Sequence, residues 1–184
     1  MSTPAAAAVA AFAGVLSWSF LEYVIHRWLG HRFKKNPFGA EHVRHHIEGN
    51  YFAPSWKKGI VTVLATALVG APAVFFLGPA RGVAYVAGFV GFYLCYEVLH
   101  RLEHVHGGFG PYGRWARRHH FTHHFVDARF NHGVTSPLWD FVFGTYKKPG
   151  RITVPAKLQM QWLVDPSTRD VRADWADTFV LARR

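Results

Sequence analysis

The chain has 184 residues, half of them apolar and 16% aromatic, which supports a sizeable core and excludes a disordered chain. Its single cysteine, Cys95, excludes an intrachain disulfide framework and a cysteine-rich metal site. A net charge of +10 suits either nucleic acid or an anionic membrane surface, and the placement of that charge along the chain decides between them.

Three stretches are almost free of charge. The first, Ala5–Ile25, carries only Glu22; the second, Gly59–Gly78, carries none; the third, Gly82–Leu99, carries only Glu97. A bilayer core takes about 20 helical residues. A soluble helix of that length shows a polar stripe, which these lack. Three membrane-spanning helices are therefore expected, the second kinked at Pro72 and joined to the third by a tight turn at Pro79–Arg81. No basic segment precedes Ala5–Ala13, so the first span is expected to be a retained helix and not a cleaved signal.

Lysine and arginine sort by side. None precedes the first span, seven fall between His26 and Lys58, one lies in the turn and thirteen follow Leu99. The positive-inside rule then puts the N-terminus outside, with the 26–58 loop and the C-terminal half cytoplasmic. The charge is explained without nucleic acid. Ala/Gly/Arg-rich usage and the lack of an organelle signal point to a bacterial inner membrane. Residues 1–148 form the expected membrane-embedded domain. Residues 149–184, broken by Pro155 and Pro166, form a polar tail packed on or near the cytoplasmic face, with no chemistry assigned to it.

The thirteen histidines follow the same organisation. "HRWLGH" holds His26 and His31, and "HVRHH" holds His42, His45 and His46. "HRLEH" holds His100 and His104, and "HFTHH" holds His120, His123 and His124. The chain repeats one device twice: a span, a His pair, then an HxxHH triplet. In HxxHH the first histidine is three and four residues from the others, so all three share a helix face. His26 and His31, five apart, converge only if the helix ends or bends between them, and Gly30 is placed to allow that. Neutral imidazole ligates zinc, iron, copper and nickel, and ten histidines suffice for two metal ions but exceed what one can hold.

Other residues sit around this set. Glu22 and Glu97 each lie one turn before a ligand histidine, where a carboxylate would fix the tautomer. Glu103 is expected to face solvent. His119 offers a competing register with His123, and His106 and His132 are further candidate ligands. Asp140 either supports a ligand histidine or caps a helix. Arg117 and Arg118 are expected to face lipid headgroups and keep nearby imidazoles neutral.

The ordered boxes HRWLGH, HVRHH, HRLEH and HFTHH, followed by "NHGVTSPLWDFVFGTY" (Asn131–Tyr146), resemble the fatty acid hydroxylase / sterol desaturase superfamily, most closely its fatty acid 2-hydroxylase-like branch. The resemblance spans roughly residues 15–147. It implies an all-α integral membrane protein with a cytoplasmic helical cap and a dinuclear metal centre. The ligands it implies are His26, His31, His42, His45, His46, His100, His104, His120, His123 and His124, with Glu22, Glu97 and Asp140 behind them. It also implies two iron ions, O2 as co-substrate and hydroxylation of a lipid acyl chain. A lipid tail would enter past Trp18, Phe20, Tyr23, Phe92, Tyr93 and Tyr96. The haem-carrier domain fused to some eukaryotic relatives is missing from this sequence, so a separate electron-donor protein is expected. Histidine ligation does not by itself separate iron from zinc. Three alternatives stay open: oxidation of a sterol or carotenoid ring, a membrane zinc hydrolase, and a metal-binding or transport protein without catalysis.

Overall fold

The computed structural model describes residues 3–108 and 110–182. In chain order it contains α1 (Thr3–Val24), a π-helix (Ile25–Arg32), α2 (Pro37–Glu48), α3 (Ser55–Leu77), α4 (Pro79–Val105), α5 (Gly110–Phe125) and a short α6 (Leu138–Val142). Two three-residue strands, β1 (Ile152–Val154) and β2 (Phe179–Leu181), pair in parallel with Ile152 opposite Phe179. Three helical stretches, Thr3–Arg32, Ser55–Leu77 and Pro79–Val105, are long and apolar enough to cross a membrane.

The chain divides into two compact units, and the first joins Met1–Glu22 to Ala53–Glu97. It holds most of the apolar helix length, and its contacts depend on small residues. A Cβ on Gly14 would lie 2.0 Å from the Tyr85 carbonyl oxygen, and one on Gly88 would lie 2.0 Å from that of Ala11. So α1 and α4 touch backbone to backbone, the arrangement that glycine permits between apolar helices. Gly82 likewise brings α4 against α3, where a Cβ would lie 2.5 Å from Val74 Cα. The turn between α3 and α4 is shorter than expected. Gly78, at φ 79°, forms it alone, because Pro79 serves as the first residue of the next helix. Trp18 packs edge-on against Phe89 and Tyr93, with ring centroids 5.4 and 4.8 Å away.

The second unit joins Tyr23–Phe52 to Val98–Arg184. Asn36 holds its N-terminal part together. Its carboxamide oxygen accepts from Gly39 N (3.0 Å) and caps α2, while its amide donates to the carbonyls of Leu29 (2.9 Å) and Phe33 (2.6 Å) at the end of the π-helix. One side chain thus fixes the angle between the elements carrying His26 and His31 and those carrying His42–His46.

The segment beyond Pro149 carries the hydrophobic core of this unit. Ile152, Val154, Leu163 and Phe179 are fully buried, and with Met160 and Trp175 they pack on Phe121 of α5. Arg117 departs from its expected place at the headgroups. It is fully buried, donates to the carbonyls of Leu102, Glu103 and His106, and lies over the rings of Trp162 (4.3 Å) and Trp175 (5.0 Å). The carbonyls at and just beyond the C-terminal end of α4, where helical bonding runs out, draw the guanidinium inward. Burial lowers its pKa to about 10, which leaves it charged at neutral pH.

Candidate metal centre

All ten box histidines lie in the second unit, and they converge in two groups. His26, His31, His42, His46 and His123 form the first; His45, His100, His104, His120 and His124 form the second. Within each group one nitrogen per residue lies within 4.8 Å of every other.

The grouping follows from local geometry. Each HxxHH helix gives its outer histidines, four apart, to one group and its middle one to the other. His42 and His46 belong to the first group, and His45 crosses to the second. His120 and His124 belong to the second, and His123 crosses to the first. The two sequence repeats therefore exchange one histidine each, which ties both groups into a single centre.

The His26–His31 pair meets by a route the spacing did not disclose. The helix does not end at Gly30. It widens into a π-helix, whose i→i+5 bonding stacks residues five apart on one face. The two rings come within 5.2 Å. Gly30 matters for another reason: a Cβ there would lie 2.8 Å from His42 Cδ2.

Tautomers follow from fixed acceptors, because a carbonyl can only accept. His26 Nδ1–H donates to the His132 carbonyl (2.5 Å), and His123 Nδ1–H donates to that of Phe130 (2.7 Å). His45 Nδ1–H donates to Tyr51 O (2.7 Å). The Nε2 atoms of these neutral rings are then bare lone pairs. Yet His26 Nε2 and His123 Nε2 lie 3.0 Å apart. Two lone pairs at that distance repel unless a cation lies between them. A proton does not resolve the conflict at His123, whose complete burial pushes its pKa well below the usual imidazole range.

The same spacing recurs at His31–His42 (2.9 Å), His42–His46, His45–His100 and His104–His120 (each 3.0 Å). Imidazoles bound at about 2.1 Å and roughly at right angles on one ion would place their nitrogens about 3.0 Å apart. Both ring nitrogens of His124 are buried and have no hydrogen-bond partner among the described residues. The donor set fits a pair of transition-metal ions. Burial, reinforced by neighbouring imidazoles, also depresses His42, His120 and His124, and lowers His46 to about 3, so that these rings stay neutral and able to ligate.

The remaining candidates fall outside both groups. His119 donates towards Asp140 Oδ2 (3.2 Å), so of the two competing registers it is His120 that enters the cluster. His106 is exposed and takes Gly108 N on its Nδ1. His132 is buried beside the first group, its ring 5.2 Å from His123 and 5.5 Å from His26. Its Nε2–H donates to Arg129 O, and its own carbonyl holds His26. Glu22 is buried, and Glu97 forms an ion pair with Lys58. Glu103 is fully buried and not solvent-facing; its carboxylate lies 3.9 Å from His120 Nε2. Asp140 does not cap a helix. It accepts from the backbone of His132 and Gly133, from Thr145 and from His119. These bonds and the charge-favouring donors hold its pKa down despite burial. Asn131 was not singled out from sequence; its asparagine identity at a left-handed turn (φ 58°) is the one clue available there.

The sequence profile of the fatty acid hydroxylase family matches residues 11–145. The chain is 34% identical over 146 residues to the ceramide very long chain fatty acid hydroxylase SCS7 of Saccharomyces cerevisiae, covering 74% of this chain and 37% of that protein. It is 32% identical over 139 residues to the dihydroceramide fatty acyl 2-hydroxylase FAH2 of Arabidopsis thaliana, covering 72% and 58% respectively. Among solved structures, full-length scs7p, with only its hydroxylase domain visible, superposes with a TM-score of 0.59 at 29% identity, over 77% of this chain and 57% of that one. The chain thus spans well under two thirds of the length of these relatives.

Proposed function

We propose, since the chain belongs to the fatty acid hydroxylase family, that it is a membrane-bound, O2-dependent di-iron oxygenase that hydroxylates a lipid acyl chain. The observation that carries the proposal is the pair of five-nitrogen groups with two lone pairs facing each other at 3.0 Å. The yeast and plant relatives are named for hydroxylating fatty acyl groups of ceramide and dihydroceramide, and the same substrate class is assigned here.

His26, His31, His42, His46 and His123 would hold one iron, and His45, His100, His104, His120 and His124 the other. The irons would supply, with dioxygen, the oxidising power that an unactivated C–H bond demands and that side chains lack. The chain's own contribution is positional. It presents neutral Nε2 atoms, fixes three tautomers with backbone carbonyls and keeps His120 and His123 fully out of water. The basic 26–58 loop and C-terminal half support a cytoplasmic position for this centre, where a separate electron-donor protein would reach it.

Purified protein is expected to contain two metal ions per chain. Cells expressing it under isotopically labelled dioxygen are expected to accumulate hydroxylated acyl chains carrying the label, read by mass spectrometry of extracted lipids. One metal per chain, or a hydroxyl oxygen drawn from water, overturns the proposal. Hydroxylation that survives His123→Ala overturns the ligand assignment.

A further inference from the structure

Two ligand histidines of the first group, His26 and His123, lean on one short loop. The Phe130 carbonyl takes the Nδ1–H of His123, and the His132 carbonyl takes that of His26. Between them stands Asn131, whose left-handed backbone (φ 58°) turns the chain so that both carbonyls serve the same group. In the second group, by contrast, His45 Nδ1–H donates to Tyr51 O, and among the described residues neither His120 nor His124 has a partner on Nδ1.

The loop is itself held rigidly. Asn131 is buried; its amide donates to the carbonyls of His119 (3.3 Å) and Lys147 (2.9 Å), and its oxygen accepts from Lys147 N (2.7 Å). Asp140 is fully buried on α6 and takes four donors. Oδ1 accepts from His132 N (2.9 Å) and Thr145 Oγ1 (2.7 Å), and Oδ2 from Gly133 N (2.9 Å) and His119 Nε2 (3.2 Å). Thr145 has spent its proton on Asp140, so Tyr23 O–H must donate to Thr145 (2.9 Å), and Arg27 in turn donates to Tyr23 (2.7 Å). A Cβ on Gly133 would meet the Ser136 carbonyl at 2.0 Å, so the turn beyond His132 closes only with glycine. The hydrogen-bond chain from Arg27 through Tyr23 and Thr145 runs in a single direction and ends on the Asp140 carboxylate.

We infer that Asn131 and Asp140 are positioning residues for the first metal position, whose His26 and His123 both donate to their loop, and that the two positions are therefore inequivalent in how firmly they hold their ion. The inference rests on the dinuclear assignment above. It goes beyond that assignment by naming which ion depends on the 130–133 loop. Asp140→Asn replaces one acceptor oxygen by an amide that faces two donors, so the His132–Gly133 backbone is released and His26 loses its fixed acceptor. Loss of such outer support typically weakens metal binding by about 10- to 100-fold.

The test uses the detergent-purified, metal-loaded protein and a graded chelator challenge, with metal per chain counted by mass spectrometry. Asp140→Asn is expected to release one ion per chain at a chelator concentration about 10- to 100-fold lower than wild type. The other ion leaves at the wild-type concentration. Asn131→Gly, which keeps the left-handed backbone but removes the side-chain bonds, is expected to show the same single-ion loss. Should both variants hold both ions as wild type does, or release the two together while melting at the wild-type temperature, the inference is overturned. A wild-type chain with fewer than two ions overturns the dinuclear assignment, and this inference with it.

Discussion

The centre is built from residues whose chemistry shows in their identity and from others whose role shows only in their neighbours. Ten histidines at box spacing were legible because imidazole has few reasons to recur in that pattern. The grouping was not legible, since HxxHH places three rings on one face without saying which ion each serves. Gly30 shows the same limit. From sequence it marks a bend; in the structure it makes room for the His42 ring, 2.8 Å from where a Cβ would stand. Gly30→Ala is expected to push His42 away from His31 and weaken the first metal position by about tenfold or more, as supporting-shell lesions do. Metal per chain after a fixed chelator challenge measures it, and wild-type retention would show that the ring has room to retreat. Glu103 and Arg117 were misplaced for a related reason. A charged residue beside a histidine box reads as surface until the partners that bury it are known, which for Arg117 are the end of α4 and two tryptophans.

At the scale of elements, the three apolar helices were legible because length and lack of charge are properties of composition. What sequence withheld was how they end and how closely they approach. The π-helix uses the residues an α-helix would use, and only the need to bring His26 to His31 distinguishes them. Gly14 and Gly88 looked like ordinary members of apolar runs, yet each lies against a backbone carbonyl of the other helix. Gly88→Val would drive a branched side chain into the Ala11 carbonyl, where a Cβ already stands 2.0 Å away. Overpacking of this kind typically costs about 1–3 kcal/mol. A lower melting temperature in detergent is the expected result, and Gly91→Val, whose Cβ would meet nothing within 4 Å, is the matched control. Equal melting of the two variants would mean that α1 and α4 separate without penalty.

For the molecule as a whole, the segment after Pro149 was the least legible part. Its polar average conceals Ile152, Val154, Leu163 and Phe179, which are spaced too irregularly to announce a core; the parallel pairing of β1 and β2 sets Ile152 opposite Phe179, and Leu163 packs into the same cluster. That core underlies α5, and α5 carries three of the ten clustered histidines, so folding of the C-terminal segment and the shape of the histidine cluster are one problem. The shared consequence is a dependence on acidity. Burial depresses His42, His46, His120, His123 and His124, with His46 brought to about 3 and the neighbouring His132 to about 4. An unfolded histidine takes up a proton near pH 6.5, which the folded chain refuses until its own lower pKa is reached. The unfolded state therefore binds more protons between pH 6.5 and about 3, the window set by His46, and stability falls as the solution is acidified through it. Each such histidine contributes a slope of roughly 1.4 kcal/mol per pH unit while its unfolded form titrates and its folded form does not. Metal ligation adds to the slope in the same direction, because protons compete with the ions for the same nitrogens. Thermal melts of the purified protein at pH 7.5, 6.5 and 5.5 are expected to show little change over the first interval and a clear drop over the second. A melting temperature that stays level down to pH 5.5 would mean that the imidazoles reach water far more easily than their burial implies.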